Sequence, residues 1–184
     1  MGVGQIAYGT NYSCRNMTAT HSFAILAPVP EMHLLSAMEA IPQLESEHGD
    51  EKPKIAFGSM DFELFRKIDE SRTGKNVKVL IYASHSDTEQ PFYSQASWEA
   101  VYIGHVNSRN GRYPGKAKFR PPSTASDKPT WAVFWEVQDL KPMACPIQIG
   151  DLTGLGKKSE YNSRFIPERP LLIEYPASVS FLTR

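Results

Sequence analysis

Between Ala100 and Ser126 the chain carries no acidic residue, yet Arg109, Arg112, Lys116, Lys118 and Arg120 all fall inside, with Tyr113 and Phe119 interleaved. Arg and Lys attract phosphate, and exposed aromatic rings give bases a surface to stack on. The same run also reads as a solvated loop whose charge balances the acidic stretch from Glu45 to Glu51. A second chemically suggestive segment, "PTWAVFWEVQDL", follows from Pro129 to Leu140. It alternates like a strand, so Trp131, Val133, Trp135 and Val137 share one face, opposite Ala132, Phe134, Glu136 and Gln138. Two indoles on one face either build a core or stack on a flat ligand.

Other reactive patterns are weak. "GLGKKS" resembles a phosphate loop, but Asp151 stands where its first Gly belongs. Lys158 takes the place of the hydroxyl residue that would meet magnesium. A basic surface loop accounts for it better than nucleotide hydrolysis does. No HExxH or GxSxG is present, and the five histidines are scattered, so the sequence calls for no metal and no cofactor.

The elements that must position these residues follow from periodicity and breakers. A short apolar strand from Ser22 to Ala27 meets Pro28 and Pro30. A helix then carries Leu34, Met38 and Ile41 at helical spacing, and Pro42 is expected to end it. The segment "QLESEHGDEKP" reads as an exposed loop. "KIAFGS" is a second strand, and Ser59 sits where a helix N-cap belongs, before Leu64, Phe65 and Ile68 with Gly74 as the stop. "NVKVLIYAS" is the clearest strand, apolar from Val77 to Ala83, and the polar "HSDTEQPFYSQ" follows as a loop. "SWEAVYIGHV" alternates, with Trp98, Ala100 and Tyr102 on one face. After the long basic loop and the double-Trp strand come a turn at "KPMACP" and a last strand, "LLIEYP". The order predicts a mostly β protein with attached helices, an α+β sheet or barrel.

The totals fit one soluble domain over residues 22–184 behind a loose tail of residues 1–21. Lys and Arg number 20 against 20 Asp and Glu, which argues against coating DNA or membranes by bulk charge. No apolar run is long enough to span a membrane. Two cysteines, Cys14 and Cys145, do not make a disulfide framework, so a reducing cytoplasm is expected.

This layout resembles the PUA-like superfamily, and within it the EVE and YTH branches, over roughly Ser22 to Tyr175. "SFAILAPVP" is similar to the opening strand and turn, and "AFGSMDFELFRKIDESRTGKNVKVLIYAS" to the strand, helix and strand that follow. "WEAVYIGHV" is similar to the strand that carries a Gly, here Gly104. "TWAVFWEVQDLKPM" resembles the strand that runs into an L-x-x-P-like turn. The resemblance implies a β pseudobarrel with two to three helices and, beside it, an aromatic pocket for a flipped or modified base. By position, Phe57 matches one cage aromatic, with Gly58 and Ser59 after it, and Tyr113 or Phe119 supplies a second. The YTH pattern places polar residues where this chain has Ala27-Pro28-Val29-Pro30, and Trp where it has Phe57. The resemblance therefore points to an EVE-like or general PUA-like module rather than a 6-methyladenine reader.

Each residue also has an ordinary role: Ser59 as a helix cap, Phe57 as core. Trp98, near its strand start, is a third pocket candidate. The resemblance puts Trp131 and Trp135 mainly in the core, with Trp131, at the loop-proximal end, the exception. The leading expectation is a module that binds RNA or DNA without catalysis. Phe57, Ser59, Trp98 and Tyr113 would hold a base, and Arg109, Arg112, Lys116, Lys118 and Arg120 the backbone. A small ASCH-like hydrolase and a protein-interaction module are the alternatives.

Overall fold

The computed structural model describes residues 22–49, 51–84, 94–157 and 166–175. The expected tail over residues 1–21 and most of the loop expected after Ala83 lie outside the described residues. Six strands and two α-helices appear among them: β1 (Phe23–Val29), α1 (Glu31–His48), β2 (Ile55–Ser59), α2 (Phe62–Arg72), β3 (Val77–Ala83), β4 (Gln95–Asn107), β5 (Val133–Gln148) and β6 (Leu171–Glu174). The strands form one mixed sheet in the order β2-β5-β4-β3-β1-β6. β1 and β3 run parallel and every other pair is antiparallel. The expected mostly β, α+β architecture is thus present, as an open sheet that ends at β2 and β6.

β1 and β3 are apolar almost throughout because both faces are covered. In β1, Phe23, Ile25, Ala27 and Val29 enter the main core, while Ala24 and Leu26 enter a smaller one on the opposite face. In β3, Val77, Val79 and Ile81 join the first, and Leu80 and Tyr82 the second. The helices close the main core. α2 inserts Phe65 and Ile68, fully buried, and stops where Thr73 turns left-handed ahead of Gly74.

Three local expectations are corrected. α1 does not stop at Pro42 but continues to His48. Proline removes one helical hydrogen bond, but Pro42 faces solvent and Leu44, one half-turn on, is buried in the core and holds the last turns in place. β5 does not turn at "KPMACP" either; it runs through Pro142 and Pro146. Beyond Val137 it pairs only with β4, leaving an open edge that tolerates residues without an N–H. Asp139, at φ 53°, and register shifts in the facing β4 bend the strand there. Ser59 does not cap α2: it ends β2, and the N-cap is Asp61.

No helix among the described residues is long and apolar enough to cross a membrane. Cys145, on β5, is disulfide-bonded, so the cysteine count lends no support to a reducing compartment.

Candidate ligand-binding site

Because β1 and β3 are parallel, their C-terminal ends lie side by side, and the end of β2 and the start of α1 open toward the same region. A cavity of about 720 Å³ is found there, lined by Val29, Phe57, Gly58, Ser59, Tyr82 and Ser84 at the strand ends and by His33 from α1. Arg120, Thr124, Asp127 and Trp131 reach it from the long loop, and residues 166–170 border it. Met60 and Ile166, 63% and 39% exposed, give this cavity apolar borders.

Trp131 precedes β5 and leaves the strand's alternation. Its backbone N–H donates to the Gly111 carbonyl (3.3 Å), and the backbone N–H of the next residue, Ala132, donates to the Ser59 carbonyl (3.1 Å). This anchors the indole over Gly58. A Cβ at Gly58 would lie 2.5–2.6 Å from three atoms of the five-membered ring, so the ring presents its face to that glycine. The loop that carries Trp131 is tightly folded. Arg109 and Arg112 exchange backbone hydrogen bonds of 2.8 and 3.1 Å, and Gly111, at φ 74°, packs on the Pro129 carbonyl where no Cβ would fit.

Three buried side-chain atoms find no hydrogen-bond partner among the described residues: Tyr82 Oη, Arg120 Nη1 and Trp131 Nε1. All three belong to side chains that line this cavity. Buried polar atoms are nearly always paired, so these three stand out among the described residues. Arg120 is otherwise well held. Its Nε donates to Thr124 Oγ1 (3.2 Å), its Nη2 to Asp127 (3.3 Å), and its guanidinium lies 4.8 Å from the Phe134 ring centroid. Burial pulls its pKa down and Asp127 opposes that. Burial pushes the Tyr82 hydroxyl up, with Glu168 adding to it, so it stays protonated at neutral pH.

Ser59 and His33 sit in separate pairs. Ser59 Oγ accepts the Asp61 backbone N–H (3.1 Å), and His33 Nδ1 lies 2.7 Å from Ser123 Oγ. Burial holds the His33 pKa below its ordinary 6.5; Arg120 lowers it further and Asp127 raises it. The folded state therefore favours neutral His33, and the unfolded chain takes up the proton first as pH falls through 6.5. Stability should drop from pH 7 to pH 5, and His33→Gln should flatten that part of the drop, as read from urea midpoints at the two pH values.

The sequence-based candidates divide. Phe57 and Ser59 reach the cavity wall, although Phe57 is also core, its ring 5.0 Å from Trp135. Trp98 does not line it; the indole is 7% exposed in the main core, on a strand position opposite Pro142. Tyr113 does not line it either. Its hydroxyl donates to Glu136 (2.5 Å), which also receives Lys54, and its ring borders a neighbouring cavity of about 280 Å³. That cavity includes Arg112, Lys128 and Phe134 and shares Arg120 and Trp131 with the larger one. Of the basic residues, Arg120 is part-buried in the site and Lys118 pairs with Glu47 (2.7 Å). Arg109, Arg112 and Lys116 are exposed, with no ion pair among the described residues.

No known protein family, curated protein or solved structure matches this chain.

Tyr82 and His33 escaped the sequence reading. The one signal for Tyr82 was a hydroxyl-bearing ring at the end of an otherwise aliphatic strand, and His33 had none beyond following two prolines. Among the described residues no group of three His, Cys, Asp or Glu gathers to hold a metal. What the arrangement offers is a cavity wall that gathers four aromatic side chains, Phe57, Tyr82, Trp131 and Trp135.

Proposed function

We propose that this protein is a binding module of PUA-like kind that takes one base of a single-stranded nucleic acid into the larger cavity. The observation that carries the reading is that the Trp131 ring lines one cavity with Phe57, Trp135 and the side chains of Tyr82 and Arg120, the last two and Trp131 each holding a buried polar atom without a partner among the described residues. Stacking holds any planar base, and fixed donors then select among edges. The charge distribution supports the same division of labour. The larger cavity sets Arg120 and Arg169 against Asp61, Asp127 and Glu168, a poor place for phosphate. The neighbouring one sets Arg112, Arg120 and Lys128 against Asp127 alone. The base enters the first, and the backbone crosses the second and the exposed Arg109 and Lys116.

Titrating the protein with short single-stranded RNA and DNA, with tryptophan fluorescence as the readout, tests this. Saturable quenching is expected, with affinity falling as salt rises at a log–log slope of about −1.5 to −2 for two or three phosphate contacts. An Arg112→Ala, Lys128→Ala double variant should weaken binding and flatten that slope. Absence of binding to every strand at low salt would overturn the proposal.

A further inference from the structure

We infer that the base this cavity takes is a cationic one, alkylated on a ring nitrogen, and that Glu168 is the carboxylate that meets its charge. The inference rests on the base-binding reading above and adds the charge class of the ligand.

The charges that line the cavity do not cancel. Arg120 Nη2 lies 3.3 Å from Asp127, and Arg169 Nη1 lies 3.6 Å from Asp61. His33, its pKa held below 6.5 chiefly by burial, adds no charge at neutral pH. Glu168 lines the same cavity with no ion pair or hydrogen bond among the described residues. With both arginines set against aspartates, its carboxylate is the charge left over. Glu168 is exposed, yet its field reaches the Tyr82 hydroxyl on the inner wall and helps to hold the proton there. The free carboxylate therefore acts on what the cavity contains as well as on solvent.

A flat cation uses each of these features. The Trp131 ring is half-buried on the same cavity, and an indole face attracts a cation more strongly than any other side-chain ring. A base such as 3-methylcytosine carries its positive charge spread over the ring at neutral pH. It keeps an exocyclic amino group that donates to a carboxylate, and its methyl group suits the apolar border formed by Met60 and Ile166. A neutral base stacks on the same indole but leaves Glu168 to water. Moving a charge out of water has a cost, so the gain over a neutral base is moderate rather than large. Alkylation of the pairing nitrogen also prevents Watson–Crick pairing, which makes such a base cheap to extrude.

The test uses two otherwise identical short single strands with a central 3-methylcytosine or N4-methylcytosine, each titrated into the full chain by tryptophan fluorescence. The two bases carry the same methyl group in different places, and only the first is a cation. The 3-methylcytosine strand should bind about 2- to 30-fold more tightly. It carries one net negative charge fewer, so backbone contacts alone would favour the other strand. Glu168→Gln should erase most of the preference. Glu70→Gln, which removes a carboxylate from the exposed face of α2 outside both cavities, should keep it. Equal or tighter binding of the neutral strand overturns the inference while leaving base binding intact. So does a preference that survives Glu168→Gln, or one that Glu70→Gln erases equally, since overall charge would then explain it. If neither strand binds, the base-binding reading falls, and this inference with it.

Discussion

Replacing Trp135 by alanine should cost about 3–5 kcal/mol of folding stability, a large share of the total for a domain of this size. Trp135 is 1% exposed and is the largest of the fully buried side chains. Its ring stacks on Phe65 of α2 at 5.9 Å and 12°, and Phe65 stacks in turn on Tyr102 of β4 at 5.8 Å. Three rings thus tie β5, α2 and β4 into one column. The column ends at a polar brace in which the Tyr102 hydroxyl donates to Asp69 (3.2 Å), and Asp69 also holds Arg72 and His105. Truncating the indole leaves a void that rigid neighbours fill only in part, so the cavity adds to the lost transfer energy. The check is a urea or guanidinium unfolding curve for Trp135→Ala beside Trp131→Ala. The midpoint should fall far for the first and much less for the second, whose ring is half-buried at a loop.

That contrast between two tryptophans four residues apart marks what was legible in the sequence. Strand parity put Trp131, Val133, Trp135 and Val137 on one face, and the last three do share the core face, because alternation is a property of the backbone; Trp131, ahead of the strand, leaves it. The continuous apolar run of β3 gave its ends correctly because a strand covered on both faces is apolar along its length. Breakers misled where a distant contact outweighed a local cost. Pro42 lost to the anchoring of Leu44, and the turn expected at Pro142 lost to pairing with β4. Ser59 has the composition of a cap, but its place opposite Val133 keeps it in β2.

The site was only half readable because no contiguous stretch builds it. It joins the ends of three strands, the first turn of α1 and a loop that packs on them. Phe57 and Ser59 carried a positional signal through the resemblance. Arg120 was legible as a cation, but not as one drawn under Phe134 with one nitrogen left over, since that depends on how the loop folds back. Trp98 illustrates the converse error. Its strand has two apolar faces, and only the packing of both sides of the sheet shows which one is the core.

Gly58→Ala should abolish most ligand binding while leaving the fold in place. Gly58 is paired with Phe134 inside β2 and lies outside the left-handed region, so its backbone accepts alanine without strain. What does not accept it is the indole. The new Cβ would fall 2.5 Å from Cγ and Cδ2 of Trp131, far inside van der Waals contact, and a rigid ring cannot yield at that point as a flexible chain end would. The ring must swing off the strand, and the Nε1 donor goes with it. Base stacking on an aromatic side chain is worth about 1–3 kcal/mol, so the affinity for a binding strand should fall roughly 5- to 150-fold, about as far as in Trp131→Ala. Circular dichroism and a cooperative unfolding curve with a midpoint no lower than that of Trp131→Ala would show that the protein remains folded, and the titration would read the loss. A Gly58→Ala protein that binds as tightly as the parent would mean that Trp131 is not the wall on which the ligand rests. Because the three atoms nearest the new methyl group all belong to the indole, this substitution displaces the stacking surface while leaving the backbone of the sheet in place.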